Sequence, residues 1–213
     1  MKIKIAPSIL SADKENLQKD VDEIGPYADM LHVDIMDGKF VPPTTFRPEQ
    51  IKGVISKLPK DVHLMVEHPL KDSFIDNYID AGANIITIHA EAKDNADECI
   101  DYMHKKGVKA GITINPPTPL EKLLPYIDKV EMVLIMSVNP GYAGQKFMPE
   151  VLSKVKEIRK LKPKLDIQID GGINKDTIKQ AAQAGANVFV AGSAIFKEKD
   201  RVKTIKDLKK AAE

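Results

Sequence analysis

Eight short apolar runs, about 20 to 30 residues apart, constrain this chain more than any other feature. They cover residues 3–10, 30–36, 62–66, 85–89, 108–114, 132–138, 167–169 and 188–190. Between them, segments 14–24, 70–81, 95–106, 149–161 and 175–184 place apolar residues at helical spacing. Gly82, Gly107 and Gly185 follow three of these segments, as left-handed caps require. Asn174-Lys175-Asp176-Thr177 offers another an N-cap and an acidic first turn. Repeated strand–helix units with no long antiparallel section predict a closed (β/α)8 TIM barrel, a single α/β domain over residues 1–213. An open doubly wound sheet is the alternative. Against it, the loop after the first run reads Pro7-Ser8-Ile9-Leu10-Ser11 and holds no GxGxxG.

Composition narrows the function. With 43% apolar and 30% charged residues the chain has the material for a core and is not of the disordered class. A net charge of +1 gives no reason to expect a nucleic-acid or membrane-surface partner. No apolar run nears the roughly 20 residues of a membrane span. Met1-Lys2-Ile3-Lys4-Ile5 reads as a first strand and not as a signal peptide. Cys99 is the only cysteine, so no intrachain disulfide forms, and a cytoplasmic location is expected.

In a barrel of this kind, chemistry sits at the carboxyl ends of the strands. Side chains alternate along a strand, so His32, Asp34 and Met36 share one face, and Leu31, Val33 and Ile35 the other. The apolar face suits the outer helices, which turns His32 and Asp34 inward. His63 and Met65 repeat the pattern, as do Gln168 and Asp170. Two imidazoles and two carboxylates therefore converge on one barrel mouth. Unpaired, they would be costly to bury. They form either a His–Asp hydrogen-bond network or a site for one divalent ion, with ligands suited to Zn2+, Fe2+, Co2+ or Mn2+. Met36, Met65 and Met136 fall at or near strand ends, either as core filling or as an apolar lining over a reacting group. Glycine-rich turns follow the last three runs: Gly141-Tyr142-Ala143-Gly144, Gly171-Gly172 and Gly192-Ser193. They are plain turns or, taken together, an anion nest for a phosphate. His89 could face the mouth or the core. His68 and His104 read as loop and helix-surface residues.

These residues carry a resemblance. Ala6 to Asp13, His32 to Gly38 with Phe40-Val41-Pro42, and His63-Leu64-Met65-Val66 resemble segments of the ribulose-phosphate 3-epimerase family, in order and spacing. So do Asn139-Pro140-Gly141 with Gly144-Gln145, Asp170-Gly171-Gly172 and Ala191-Gly192-Ser193-Ala194. The resemblance runs from end to end. It implies a barrel of the ribulose-phosphate-binding type, a divalent metal, and inversion at C3 of a ketose phosphate, D-ribulose 5-phosphate giving D-xylulose 5-phosphate in the pentose phosphate pathway. By resemblance, His32, Asp34, His63 and Asp170 hold the metal, and Asp34 and Asp170 double as the acid–base pair. Ser8 and His63 touch the sugar. The turns at 141–144, 171–172 and 192–193 hold the phosphate. A homodimer or homohexamer is implied as well.

Pro43, Arg47, Tyr142 and Ala143 depart from the family's common Asn, Gly, Phe and Gly. Ala143 is shared with some D-allulose-6-phosphate 3-epimerases, which makes that enzyme the nearest rival reading. Segments 170–174 and 192–196 resemble the pentose-phosphate enzymes more. A phosphate-binding barrel decarboxylase would want a lysine where Ile35 stands. A non-catalytic sugar-phosphate-binding barrel would have no need of two aspartates placed as an acid–base pair.

Overall fold

The apolar runs become strands. In the computed structural model, which describes residues 1–213, they are β1 (Lys4–Pro7), β2 (Leu31–Met36), β3 (Lys60–Met65), β4 (Ala83–His89), β5 (Lys109–Ile114), β6 (Met132–Met136), β7 (Asp166–Asp170) and β8 (Val188–Ala191). All seven ladders are parallel, in the order β1-β8-β7-β6-β5-β4-β3-β2. A bridge between Ser8 and His32 joins β1 to β2 and closes the ring. Closure removes both sheet edges, which would otherwise carry unpaired backbone groups.

The connections are helical. They are α1 (Leu17–Ile24), α2 (Pro48–Gly53), α3 (Phe74–Asp80), α4 (Ala96–Lys105), α5 (Leu152–Leu161) and α6 (Thr177–Ala184), with α7 (Ser193–Phe196) and α8 (Arg201–Ala212) after β8. No helix is long and apolar enough to cross a membrane. Between β5 and β6 only two 3-10 turns form, Leu120–Lys122 and Leu124–Tyr126. Pro116, Pro117, Pro119 and Pro125 remove the amide donors that a regular helix needs there.

Element ends differ from the sequence reading by a few residues, and at three places the cause is visible. The first run splits: β1 stops at Pro7, and Ile9–Ser11 forms a 3-10 turn whose Leu10 N–H donates to Ser8 Oγ. Segment 70–81 becomes helical only at Phe74, because Asp94 accepts the Leu70 and Lys71 amides and Ser73 sits at φ +60°. Before α6, Asn174 Oδ1 accepts the Asp176 and Thr177 amides, and the first turn holds no acid. The glycine caps are as expected, with Gly82, Gly107 and Gly185 all at positive φ.

Most of the apolar core lies between the strands and the helices. Leu31, Val33 and Ile35 point into it, as alternation requires. Inside the barrel, Ala6, Ile85, Met132, Val188 and Val190 form a separate apolar cluster, which Val190 extends up to the cavity. The rest of the interior mixes buried polar groups, Thr87, Thr113 and Gln168 among them, with apolar Leu134 and the side chains of Met36, Met65 and Met136. Gly111 makes room for one of these polar groups. A methyl at 111 would overlap Thr87 Oγ1 and lie 3.1 Å from Thr87 Cβ. Gly111→Ala is therefore expected to destabilise by about 1–3 kcal/mol, the usual cost of overpacking. A lowered urea midpoint at unchanged m checks this. Adding Thr87→Ala should restore most of the loss, and a double variant as unstable as the single would refute the clash.

Candidate active site

Pairing register stacks the inward residues in layers. His32 lies beside Asp61, Asp34 beside His63, and Met36 beside Met65; Met136 lies beside Asp170. His32, Asp34, His63 and Asp170 each contribute one donor atom to a cluster whose members lie within 4.8 Å of one another. Asp34 Oδ1 is 3.3 Å from both His32 Nε2 and His63 Nδ1. Asp170 Oδ2 is 4.0 Å from the same two nitrogens. Two donors sharing a tetrahedral ion at 2.0–2.1 Å would stand about 3.4 Å apart.

The hydrogen bonds around the cluster fit an ion as well. His32 Nδ1 is 2.7 Å from Asp61 Oδ2, which also accepts from Gln168 Nε2 at 2.6 Å. That carboxylate draws the imidazole proton to Nδ1. His32 Nε2, buried and without a hydrogen-bond partner, is the nitrogen left facing the cluster. A carboxylate behind a histidine is the arrangement that orients metal-ligating imidazoles. The opposite nitrogen of His63, Nε2, is 2.9 Å from His89 Nε2, and His89 Nδ1 is 3.4 Å from Glu91 Oε2.

Electrostatics follow from burial and these neighbours. Burial opposes the charged form of His32, yet Asp34 and Asp61 outweigh it and raise the imidazole well above its usual pKa. Burial opposes the charged form of Asp34 too, but His32 and His63 hold it well below the carboxylate range. Burial and the neighbouring Asp34 charge push Asp170 up to about 6. Burial brings His89 down to about 4. Excess negative charge at the cluster is thus met by protons or by a cation, and a bound divalent ion would displace protons.

Above the cluster opens a cavity of about 570 Å3, counted to its mouth. Ser8, Asp34, Met36, Met65, Met136 and Asp170 line it, with Gly141, Tyr142, Ala143, Gly144, Gly171, Gly172, Gly192 and Ser193 around the rim. The structure thus gathers the sequence-selected residues at one mouth, with two exceptions. His32 and His63 are fully buried and form no part of the wall; they lie beneath its floor. Ser8 Oγ donates to Asp34 Oδ2 at 2.6 Å, leaving Oδ1 to the cluster. Ser137 fixes the end of β7, its amide and hydroxyl both donating to the Asp170 carbonyl at 2.7 Å.

The glycine turns are sterically required at two points. Gly171, at φ +118°, presses on Val138, and a Cβ on Gly172 would stand 2.6 Å from the Phe147 amide nitrogen. The turn after β6 closes on itself, Gln145 Nε2 donating to the Asn139 and Tyr142 carbonyls. His68 pairs with Asp94 and His104 with Glu131, and neither histidine lines the cavity. Sequence reasoning missed Asp61 and Glu91, and it left open whether His89 faces the mouth or the core. Period-two phase with His63 and His89 was the available signal.

Residues 4–196 match the sequence pattern of the ribulose-phosphate 3 epimerase family. The chain is 44% identical over 217 residues to a ribulose-phosphate 3-epimerase of Bacillus subtilis, covering 97% of this chain and 98% of that protein. It is 45% identical over 199 residues to one from Schizosaccharomyces pombe, covering 91% and 86%. It is 43% identical to a cytoplasmic isoform from Oryza sativa, covering 99% and 94%. Among solved structures, a 3-hexulose-6-phosphate synthase from Salmonella typhimurium superposes with a TM-score of 0.75 at 17% identity, covering 99% and 98%, a likeness of fold. From the match across nearly its whole length, the chain belongs to the ribulose-phosphate 3-epimerase family, a family of isomerases built here on a (β/α)8 barrel.

Proposed function

We propose that the protein inverts C3 of a ketose phosphate, interconverting D-ribulose 5-phosphate and D-xylulose 5-phosphate. The observation that carries this reading is the meeting of two carboxylates, Asp34 and Asp170, from separate strands at the floor of one cavity. The C3 proton lies next to the C2 carbonyl, so it can leave if the resulting enediolate is stabilised. One carboxylate takes the proton from one face of C3 and the other returns a proton to the opposite face. In the reverse direction they exchange roles.

His32, Asp34, His63 and Asp170 are the residues that would hold one divalent ion of the Zn2+, Fe2+, Co2+ or Mn2+ class. Such an ion supplies Lewis-acid stabilisation of negative charge on the substrate oxygens. Ser8 orients Asp34 through its hydroxyl and faces the sugar. Met36, Met65 and Met136 exclude water and lower the local dielectric, which strengthens every charge interaction at the floor. Amides of the turns at 141–144, 171–172 and 192–193 hold the phosphate.

Solvent-deuterium exchange at C3 tests the proposal. Metal-loaded protein in deuterium oxide is expected to place a solvent deuteron at C3 of both pentulose phosphates as it equilibrates them. Binding of the sugar phosphates without exchange would replace this reading by a non-catalytic sugar-phosphate barrel.

A further inference from the structure

We propose that Glu91 and His89 are positioning residues that fix the tautomer of His63, keeping its proton on Nε2 and a lone pair on Nδ1. The proposal rests on the metal reading above. It is read from the direction of four hydrogen bonds. Glu91 Oε1 accepts from the Asn115 amide at 2.8 Å and from the Thr118 hydroxyl at 2.5 Å. An amide N–H cannot reverse, so this oxygen is committed. Glu91 Oε2 is left for His89 Nδ1, at 3.4 Å. An ionised carboxylate only accepts, so Nδ1 of His89 is the donor.

A neutral His89 ring then has its lone pair on Nε2, 2.9 Å from His63 Nε2. That contact works in one sense: His63 donates. Its remaining nitrogen, Nδ1, faces Asp34 Oδ1 at 3.3 Å and Asp170 Oδ2 at 4.0 Å, where the ion would take the lone pair. Phe40 packs on the His89 ring with centroids 4.6 Å apart, and both histidines are buried, which hinders a ring flip. His32 is served by Asp61 in one step, whereas His63 is served by Glu91 in two.

Because the chain of bonds has a direction, a nearly isosteric change reverses it. In Glu91→Gln the amide oxygen must stay with the Asn115 N–H, which turns the NH2 group towards His89 Nδ1. His89 then carries its proton on Nε2 and donates to His63 Nε2. His63 is forced to hold its own proton on Nδ1, where the ion would bind. Loss of an outer partner of a metal ligand costs about 10–100-fold in affinity, and the reversal is expected to fall in that range.

The test has two parts. Nitrogen–proton correlation NMR of the metal-free protein, above neutral pH, reads the His89 tautomer directly: Nδ1–H in the parent and Nε2–H in Glu91→Gln. Chelator competition with Zn2+ then compares the parent, Glu91→Gln, His89→Leu and the double variant. Glu91→Gln should weaken Zn2+ binding, and with Leu at 89 the second change should add nothing. The proposal is overturned by a parent His89 protonated on Nε2, by undiminished Zn2+ affinity in Glu91→Gln, or by additive losses in the double variant. A parent that binds no Zn2+ while its His89 is protonated on Nδ1 would overturn both the metal reading and the role towards the ion proposed here; a parent that binds Zn2+ with its His89 protonated on Nε2 would overturn this proposal alone.

Discussion

Asp170→Asn, in protein shown to keep its ion, is expected to epimerise about 10²–10⁴-fold more slowly, the usual cost of a lost acid–base group. The substitution keeps the shape of the side chain. It leaves the end of β7 anchored, because Ser137 bonds the backbone carbonyl of residue 170 and not its carboxylate. What changes is the ability to take and give a proton. Asp170 is the more open of the two carboxylates, 17% exposed against 5% for Asp34, and its burial beside the Asp34 charge raises its proton affinity. With only Asp34 left to titrate, C3 exchange should fall unequally for the two epimers, since each presents its proton to a different face. Metal analysis, kcat in both directions and deuterium exchange in each epimer check this. A variant with full metal content and the parent rate would remove Asp170 from the acid–base pair.

How far the sequence could be read depended on how local the signal was. Strand positions were legible because apolar runs and glycine caps are short-range patterns, and Gly82, Gly107 and Gly185 adopt the conformations their positions demanded. Helix starts were less so. Segment 70–81 begins late because of Asp94, which is distant in sequence and becomes a neighbour only when β3 and β4 pair. The convergence of His32, Asp34, His63 and Asp170 was legible from parity alone, once a barrel was assumed. Their outer partners were not. Asp61 lies just before the apolar run 62–66, and its tie to Gln168 spans 107 positions. The His89–Glu91–Thr118 path likewise crosses from β4 to the proline-rich turn after β5. Parity assigns a side chain to a face; it does not say which of two ring nitrogens carries the proton.

The second large effect concerns substrate length. D-Ribulose 5-phosphate and D-xylulose 5-phosphate should exceed D-allulose 6-phosphate in kcat/KM by on the order of 100-fold, the cost of misplacing reacting atoms by about 1 Å. The carboxylates and the glycine turns sit on the ends of strands in one closed barrel, so the span between C3 and phosphate is set by the scaffold. A six-carbon ketose adds one CHOH unit to that span. In the binding mode proposed above, either its phosphate leaves the amides at 171–172, or its C3 leaves the line between Asp34 and Asp170. Gly171 and Gly172 cannot retreat, since Val138 and the Phe147 backbone lie directly against them. The turn at 141–144 is the part most able to yield, yet it is held from two sides. Gln145 ties it across its base, and Gly141 lies so near the loop after β2 that a Cβ on it would stand 3.4 Å from Val41 Cβ and 3.8 Å from Pro43 Cδ. Two departures from the family's common residues, Pro43 and Ala143, therefore fall on the two loops that meet there, and both stiffen backbone where the commoner Asn and Gly would not. Steady-state kinetics on both sugars with one metal-loaded preparation decide the matter. An equal kcat/KM for D-allulose 6-phosphate would mean that these loops open to admit the longer sugar, and a higher one would make the hexulose phosphate the preferred substrate class.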